Sequence, residues 1–291
     1  MTVIRVAAST AIRDIVAGSR AHGVVHAVFE HATYVTFAGG RLVAIVTRDG
    51  VHQPSAAVVP WTADRRPATP GVQAGAPVVA ADGAISIAGV DFRPGRWWEP
   101  QPTVRHTERS TLANAAADIA GRLAPLDEDV AAACRELQDA LADGDIDGSR
   151  RAARRLLGRG PGLTPFGDDV LAGCFGTTAA LASALDDARS QAVSATTRAT
   201  ATHILDEVED ATTTISAGLL RDASRGALAQ PVAHLLTAAA AGAPVAGAVA
   251  AVLRIGATSG AGLLHGCVLA LDVLVDGRAE GHARMNERQL A

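Results

Sequence analysis

Two adjacent aspartates, Asp168 and Asp169, end a stretch that reads GRGPGLTPFGDD from Gly158. Carboxylates in such a place can hold or move a proton, orient an amine or bind a divalent cation. The loop before them carries Gly158, Gly160, Gly162 and Gly167. Glycines at alternating positions let consecutive backbone amides turn inward, which forms a nest for a small anion. Thr164 adds a hydroxyl and can cap the helix that follows. Pro165 suits a first helical turn, and the aspartates sit near the positive end of the helix dipole. No lysine follows the glycines, and helical patterns flank the loop on both sides. Walker loops and dinucleotide turns need a preceding strand, so both are excluded.

A second stretch repeats this layout. RIGATSGAGLLHGC, residues 254–267, runs from a helix end through Gly256, Gly260 and Gly262, which frame Thr258 and Ser259. Each copy ends in Gly-Cys, at Gly173-Cys174 and Gly266-Cys267. A third hydroxyl-bearing helix start, ATTTISAGLLRDASRG at residues 211–226, carries Thr213 and Ser216. Helix N-termini that converge make a pocket rich in amide donors and hydroxyls. The two glycine loops are therefore expected to face one another across one pocket. Asp168, Asp169, Thr164 and Ser259 are the catalytic candidates. Gly160, Gly162, Gly167, Thr213, Ser216, Thr258, Gly260 and His265 are the substrate-binding candidates. Neighbouring residues on a helix point roughly 100° apart, so one aspartate is expected in the pocket and the other on the backbone. A packing role stays open throughout, because glycine and alanine at these spacings also let helices cross closely, and His265 on an apolar face also suits a satisfied core histidine.

Composition narrows the chemistry. All 26 basic residues are arginine, which removes Schiff-base and lysine-nucleophile mechanisms and leaves arginine as the one permanently charged anion clamp. No organic cofactor is expected: pyridoxal has no lysine to join, and no strand-glycine-helix unit suggests a dinucleotide. No metal site is assigned, with Mg²⁺ open at the aspartates. His203 and Glu207 stand four apart as metal ligands can, but ILDEVED around them reads as a solvated acidic face. The formal charge of −4 offers no basic field for nucleic acid or anionic lipid. Three cysteines without a CxxC pair suggest neither a disulfide framework nor a zinc cage. MTVIRVAAST lacks the pattern of a signal peptide, and a cytoplasmic protein is expected. LLTAAAAGAPVAGAVAAVL, residues 235–253, is mostly alanine and glycine with Pro244 inside it, and reads as two buried helices rather than a membrane span.

The elements that must position these residues fall into two halves, an α+β arrangement. GVVHAVFE, ATYVTFA, RLVAIVT, AAVVP, PVVAA and AISIAG read as short strands, with turns at Gly39-Gly40 and Asp82-Gly83. They suggest a small antiparallel sandwich or barrel over residues 1–105, with a short helix near residues 10–18. DFRPGRWWEPQPT, residues 91–103, closes this half; Trp97 or Trp98 would plug the seam between the halves or line a pocket. Residues 106–291 form an all-α domain carrying the glycine loops. Helical spacing covers 111–125, 127–142, 147–157, 168–185, 190–210, 212–225, 231–241, 244–255 and 259–275. The tail GRAEGHARMNERQLA reads as frayed.

The three motifs at these distances, behind a strand-rich front that ends in a tryptophan-proline segment, resemble the bacterial AllH family. Its best-known member is a subunit of oxamate carbamoyltransferase. The resemblance implies carbamoyl transfer between carbamoyl phosphate and the amide nitrogen of oxamate, with oxalurate as the other partner and further subunits of a carbamoyltransferase complex beside it. Such small anionic substrates suit amide nests. The family pattern has histidine where Ala257 stands, aspartate where Gly262 stands and serine where Phe166 stands. An imidazole and a carboxylate are thus missing from one loop, which leaves a changed substrate or reaction open. The leading expectation is a small-molecule transferase or transferase subunit. The alternatives are a non-catalytic ligand-binding partner subunit and an amino-acid lyase or cyclase, and a homo-oligomer is open in each case.

Overall fold

A computed structural model describes residues 2–275. The tail GRAEGHARMNERQLA lies outside the described residues. The first part is a closed barrel of β1 (Thr2–Ser9), β2 (Ala21–Val28), β3 (Ala32–Phe37), β4 (Arg41–Val46), β5 (Ala56–Val58), β6 (Pro77–Ala81), β7 (Ala84–Ile87) and β8 (Val90–Trp98). The order around it is β1-β5-β4-β3-β2-β6-β7-β8. Of the sandwich or barrel expected, the barrel is what forms, but the sheet is mixed rather than antiparallel. β1 runs parallel to β8, and β4 runs parallel to β5. The hairpins follow from local turn residues, whereas neither parallel pair is joined directly by a tight turn, so no local pattern marks them.

β8 runs through the tryptophan-proline segment that reads as a closing linker. Pro94 is tolerated because it lies at a bulge. Val6 pairs with Pro94 and Ala7 with Arg96, which leaves Gly95 as the extra residue. A 3-10 turn (Thr10–Ile12) and α1 (Arg13–Ala17) follow β1 and drive Ile12, Ile15 and Val16 into the barrel core beside Val35, Val43 and Ile45. Trp98 packs near His52, with ring centroids 6.3 Å apart, and His52 bonds in turn to Gln230 at 2.8 Å. That chain of contacts reaches from the barrel into the helices. Trp97 instead lies under the Arg13 guanidinium.

The helices are α2 (Arg109–Ala120), α3 (Glu128–Asp143), α4 (Ile146–Leu156), α5 (Phe166–Leu181), α6 (Ala188–Ala211), α7 (Thr214–Ala223), α8 (Gln230–Ala240), α9 (Ala246–Leu253) and α10 (Ser259–Val275). Asp127, Asp145, Asp187 and Thr213 cap four of them, each accepting from a backbone amide three residues on. Nearly all of α5 is buried, and α10 crosses it closely. The crossing depends on missing side chains: a Cβ on Gly173 would lie 2.2 Å from the Leu263 carbonyl oxygen, and one on Gly266 would lie 2.0 Å from that of Val170. Helix α7 lies against the outside of β4, where a Cβ on Gly218 would meet Leu42 at 2.6 Å. β4 is consequently buried on both faces from Leu42 to Val46.

Among the described residues no helix is long and apolar enough to cross a membrane. Residues 235–253 divide between α8 and α9, but α9 is not a buried helix. It buries Val249 and Val252 while Ala246, Gly247, Ala250 and Leu253 face solvent. Side chains this small cover a short helix with one packed face.

Alanine at Gly266 should lower stability by about 1–3 kcal/mol through overpacking against the Val170 carbonyl. Alanine at Gly247 of α9, where nothing lies within 4 Å, should raise it by about 0.5–1 kcal/mol. Denaturant midpoints of the two variants check the contrast, and equal midpoints would refute the close-crossing account.

Candidate functional site

The loop from α4 to α5 depends on left-handed glycines, with φ of +70° at Gly158, +115° at Gly160 and +103° at Gly162. At Gly158 the need is twofold, since a Cβ would also lie 2.2 Å from the Ala211 carbonyl oxygen. The Gly158 amide donates to Asp168 Oδ1 at 2.6 Å. Ser216 Oγ donates to Asp168 Oδ2 at 2.6 Å, and the Thr212 hydroxyl donates to the same oxygen. One carboxylate, 1% exposed, therefore gathers the glycine loop, the end of α6 and the start of α7. Hydrogen bonds to an ionised acceptor are the strong kind, and three of them make burial of this group tolerable.

Asp169 has the opposite circumstances. It is 5% exposed, and among the described residues its Oδ2 has no hydrogen-bond partner. Burial pushes its pKa up to about 8; the hydroxyls of Ser259 and Thr164 pull the other way, and the charge of Asp168 adds to the rise. At neutral pH it therefore holds a proton. Thr164 Oγ1 and Ser259 Oγ lie 2.7 Å apart, so the two glycine loops do meet, across a hydroxyl pair. Gly262 lets them come this close, because a Cβ there would lie 2.7 Å from that of Asp169.

Asp168, Asp169, Thr164, Ser216 and Ser259 all line one cavity of about 380 Å³ between the helices and the barrel. The barrel wall supplies Phe29, Glu30, His31, Tyr34 and Gln53, none of which the sequence reading placed in a site. Burial raises the Tyr34 phenol above its ordinary range, opposed by Gln53, and Phe29 meets its ring edge-on at 6.0 Å. His31 Nδ1 lies 3.3 Å from Thr47 Oγ1. Much of the remaining lining is aliphatic, including Leu163, Ile215 and Leu219, and among the described residues no arginine lines it. The described residues therefore place no arginine clamp in this cavity.

The other candidates lie around it. Thr164 is not the helix cap; Pro165 takes that position without a side-chain bond, and the Thr164 hydroxyl goes across to Ser259 instead. Gly167 and Gly260 are packing glycines rather than nest amides. Their N–H groups donate to the carbonyls of Arg159 and Ile255, each at 2.9 Å. Added Cβ atoms would strike the carbonyl oxygens of Leu156 and Val252 at 2.0 and 2.1 Å. Gly160 and Gly162 are exposed on the first loop, and Thr258 is exposed on the second. Thr213 caps α7, accepting from the Ser216 amide at 3.1 Å, and its hydroxyl donates to the Leu163 carbonyl. His265 Nε2 pairs with the Ala124 carbonyl at 3.2 Å, its ring lies beside Phe166, and burial lowers its pKa. Glu207 accepts from Arg154 at 2.6 Å and is an ion-pair partner rather than a ligand beside His203. Among the described residues no three His, Cys, Asp or Glu side chains are grouped to hold a metal ion.

A closed mixed barrel set against a helical half, with a proton-holding carboxyl in a cavity between them, defines a two-part α+β protein. A family model described as oxamate carbamoyltransferase subunit AllH matches residues 156–271, and one described as the AllH family N-terminal domain matches residues 4–98. The chain belongs to the AllH family. No solved structure matches it.

The pKa of Asp169 has a consequence for stability. The carboxyl is at about 8 in the folded chain against an ordinary 3.8, so the native state keeps a proton that the unfolded chain releases. Stability should then fall as pH rises from about 4 to about 8 and level off above. Asp222, raised to about 6 mainly by burial, contributes in the lower part of that range. Between pH 6 and 8 Asp169 dominates, and Asp169→Asn should flatten the decline in melting temperature there. Parallel curves for the two proteins would contradict the assignment.

Proposed function

We propose that this chain serves as a transferase subunit of the carbamoyltransferase type, acting on a small carboxylate or amide such as oxamate, with Asp169 as the group that moves the proton. The observation that carries this is the Asp169 carboxyl, buried, holding a proton near neutral pH and lining the cavity where both glycine loops meet. A general acid–base group works best when its pKa lies near the working pH.

In the transfer, the amide nitrogen of the acceptor attacks the carbamoyl carbon of carbamoyl phosphate. The new N–C bond forms, the C–O bond to phosphate breaks, and phosphate leaves with the electron pair. The proton lost by the amide passes to Asp169 in its ionised form, which is the minor form near neutral pH. In reverse, protonated Asp169 returns it to the nitrogen while phosphate attacks. Thr164 and Ser259 are the hydroxyls beside this carboxyl and, with Ser216 on the same cavity wall, orient the acceptor. Asp168 acts through them as a positioning residue, since its oxygens are taken by the Gly158, Thr212 and Ser216 donors. The amides of Gly160 and Gly162, on the exposed loop, are the remaining nest donors for an anion.

A second reading, of a chain that completes its site only with another subunit, has its own support. Among the described residues no arginine lines the cavity, and a phosphoryl group bound there needs positive charge from outside them. A partner subunit of the carbamoyltransferase assembly would supply that charge. Turnover of carbamoyl phosphate and oxamate by the chain alone favours the first reading, and turnover appearing only with partner proteins favours the second.

In either assembly Asp169→Asn should reduce turnover by about a hundredfold or more while leaving the fold intact. Asp168→Asn should act chiefly on stability, at about 1–3 kcal/mol, because it turns an amide donor toward groups that themselves donate. Steady-state rates and melting temperatures of the two variants decide the matter; normal turnover in Asp169→Asn would end the proposal.

A further inference from the structure

The Asp169 cavity has two unlike ends, set by two helices that run side by side. Both α5 and α7 begin at its hydroxyl end, where Ser216 Oγ meets Asp168. They stay together further along, since a Cβ on Gly226, just after α7, would lie 3.6 Å from that of Ala179 in α5. On α5 the lining passes from Asp169 to Ala172. Leu228, also in the lining, then occupies the space that Gly176 leaves, 2.4 Å from where a Cβ would stand. The helix rises about 10 Å between Asp169 and Gly176. On α7 the lining passes from Ser216 through Leu219 and Leu220 to Ala223, the spacing of one helix face. Both faces start polar and become aliphatic.

The rest of the enclosure has the same character. Ala172, Ala223 and Ala227 are buried, and side chains this small leave the aliphatic end open where larger ones would fill it. The barrel faces the helices with Val51, Pro54 and the Tyr34 ring, and Gln53 lies beside the Tyr34 phenol. Phe29 and Leu163, 40% and 48% exposed, stand at the opening with the exposed Glu30 and His31. Among the described residues no arginine lines the cavity, so the aliphatic end has no partner for a negative charge. A volume of about 380 Å³ lies in the range that encloses ligands much larger than oxamate. A two-carbon acceptor fills the hydroxyl end alone and leaves the aliphatic walls without atoms to touch.

We propose that the acceptor taken by this cavity is a primary amide with an uncharged aliphatic or aromatic body of about four to six carbons, its amide beside Thr164, Ser259 and Asp169 and its body along the α5 and α7 faces. The inference rests on the transfer reading for its chemistry and narrows the acceptor, with oxamate as the smallest and weakest member of the class. Leu219 on the helical side and Val51 on the barrel side, both half-buried, are then specificity-determining residues.

Calorimetric titration of the full chain with butanamide, pentanamide and hexanamide tests the body of the ligand without any reaction. Affinity should rise about threefold with each added methylene. Leu219→Asn keeps the side chain's size but withdraws its apolar surface; it should weaken hexanamide about tenfold or more and flatten the series. Val51→Thr, of the same shape, should weaken hexanamide several-fold, and it decides alone should Leu219→Asn fail to fold. Turnover with carbamoyl phosphate is read separately. Amides that bind in this order but are carbamoylated neither by the chain alone nor with partner proteins would support the ligand class and end the transfer reading. Oxamate turnover beside affinities that do not rise with length would do the reverse. Affinities unmoved by both substitutions, or hexanamide bound more weakly than butanamide, would likewise overturn the inference.

Discussion

The site depends on the carboxylate of Asp168 more than on any other group. Its three donors come from residues 158, 212 and 216, on segments that the Thr213–Leu163 hydrogen bond also ties together. Removing water from a carboxylate is costly unless every lost hydrogen bond is replaced. The backbone of the glycine loop and two hydroxyls at the α6–α7 junction replace them here. That requirement fixes the loop's path and, through Pro165, the direction in which α5 starts. Once α5 is set, the missing side chains at Gly173 and Gly266 let α10 settle against it, and the second glycine loop arrives beside the first.

Asp169 inherits its character from that arrangement. One residue further along the helix, it finds two hydroxyls bonded to each other in place of three donors aimed at it, and one of its oxygens is left alone. Two neighbours of identical chemistry are thereby driven apart. The first accepts from three donors, and the second is pushed toward its neutral form by burial and by the charge beside it. The barrel completes the enclosure by covering the far side with Tyr34, Gln53 and aliphatic surface, which keeps the carboxyl out of water.

Much of this architecture was legible in the sequence where the signal is local. The helical spacing at 259–275 matches α10, and that at 127–142 falls within a residue of α3, because caps and apolar periodicity are written in neighbouring residues. The strand β8 was not legible, since Pro94 and two tryptophans disguise it and its bulge forms only against β1. The same limit governs the site. Hydroxyls beside glycines pointed to Thr164, Ser216 and Ser259, which do share the cavity. The packing role of Gly167 and Gly260 depends on carbonyls that no spacing reveals, those of Leu156 and Val252. Phe29, Glu30, Tyr34 and Gln53 carry no motif at all; the tertiary fold alone brings them to the aspartates.

Barrel closure by β1 and β8 has a bearing on how the molecule forms. The first strand made has partners only in β5 and in β8, the last strand of the barrel. During synthesis β1 can meet β5 first, and its other edge waits unpaired until the tryptophan-rich segment has left the ribosome. Contacts so far apart in sequence form slowly, and open strand edges invite association with other chains. Helices α2–α10 follow afterwards and meet a finished wall. The cavity is thus the last feature of the protein to exist, and the proton on Asp169 is set only when the whole chain is in place.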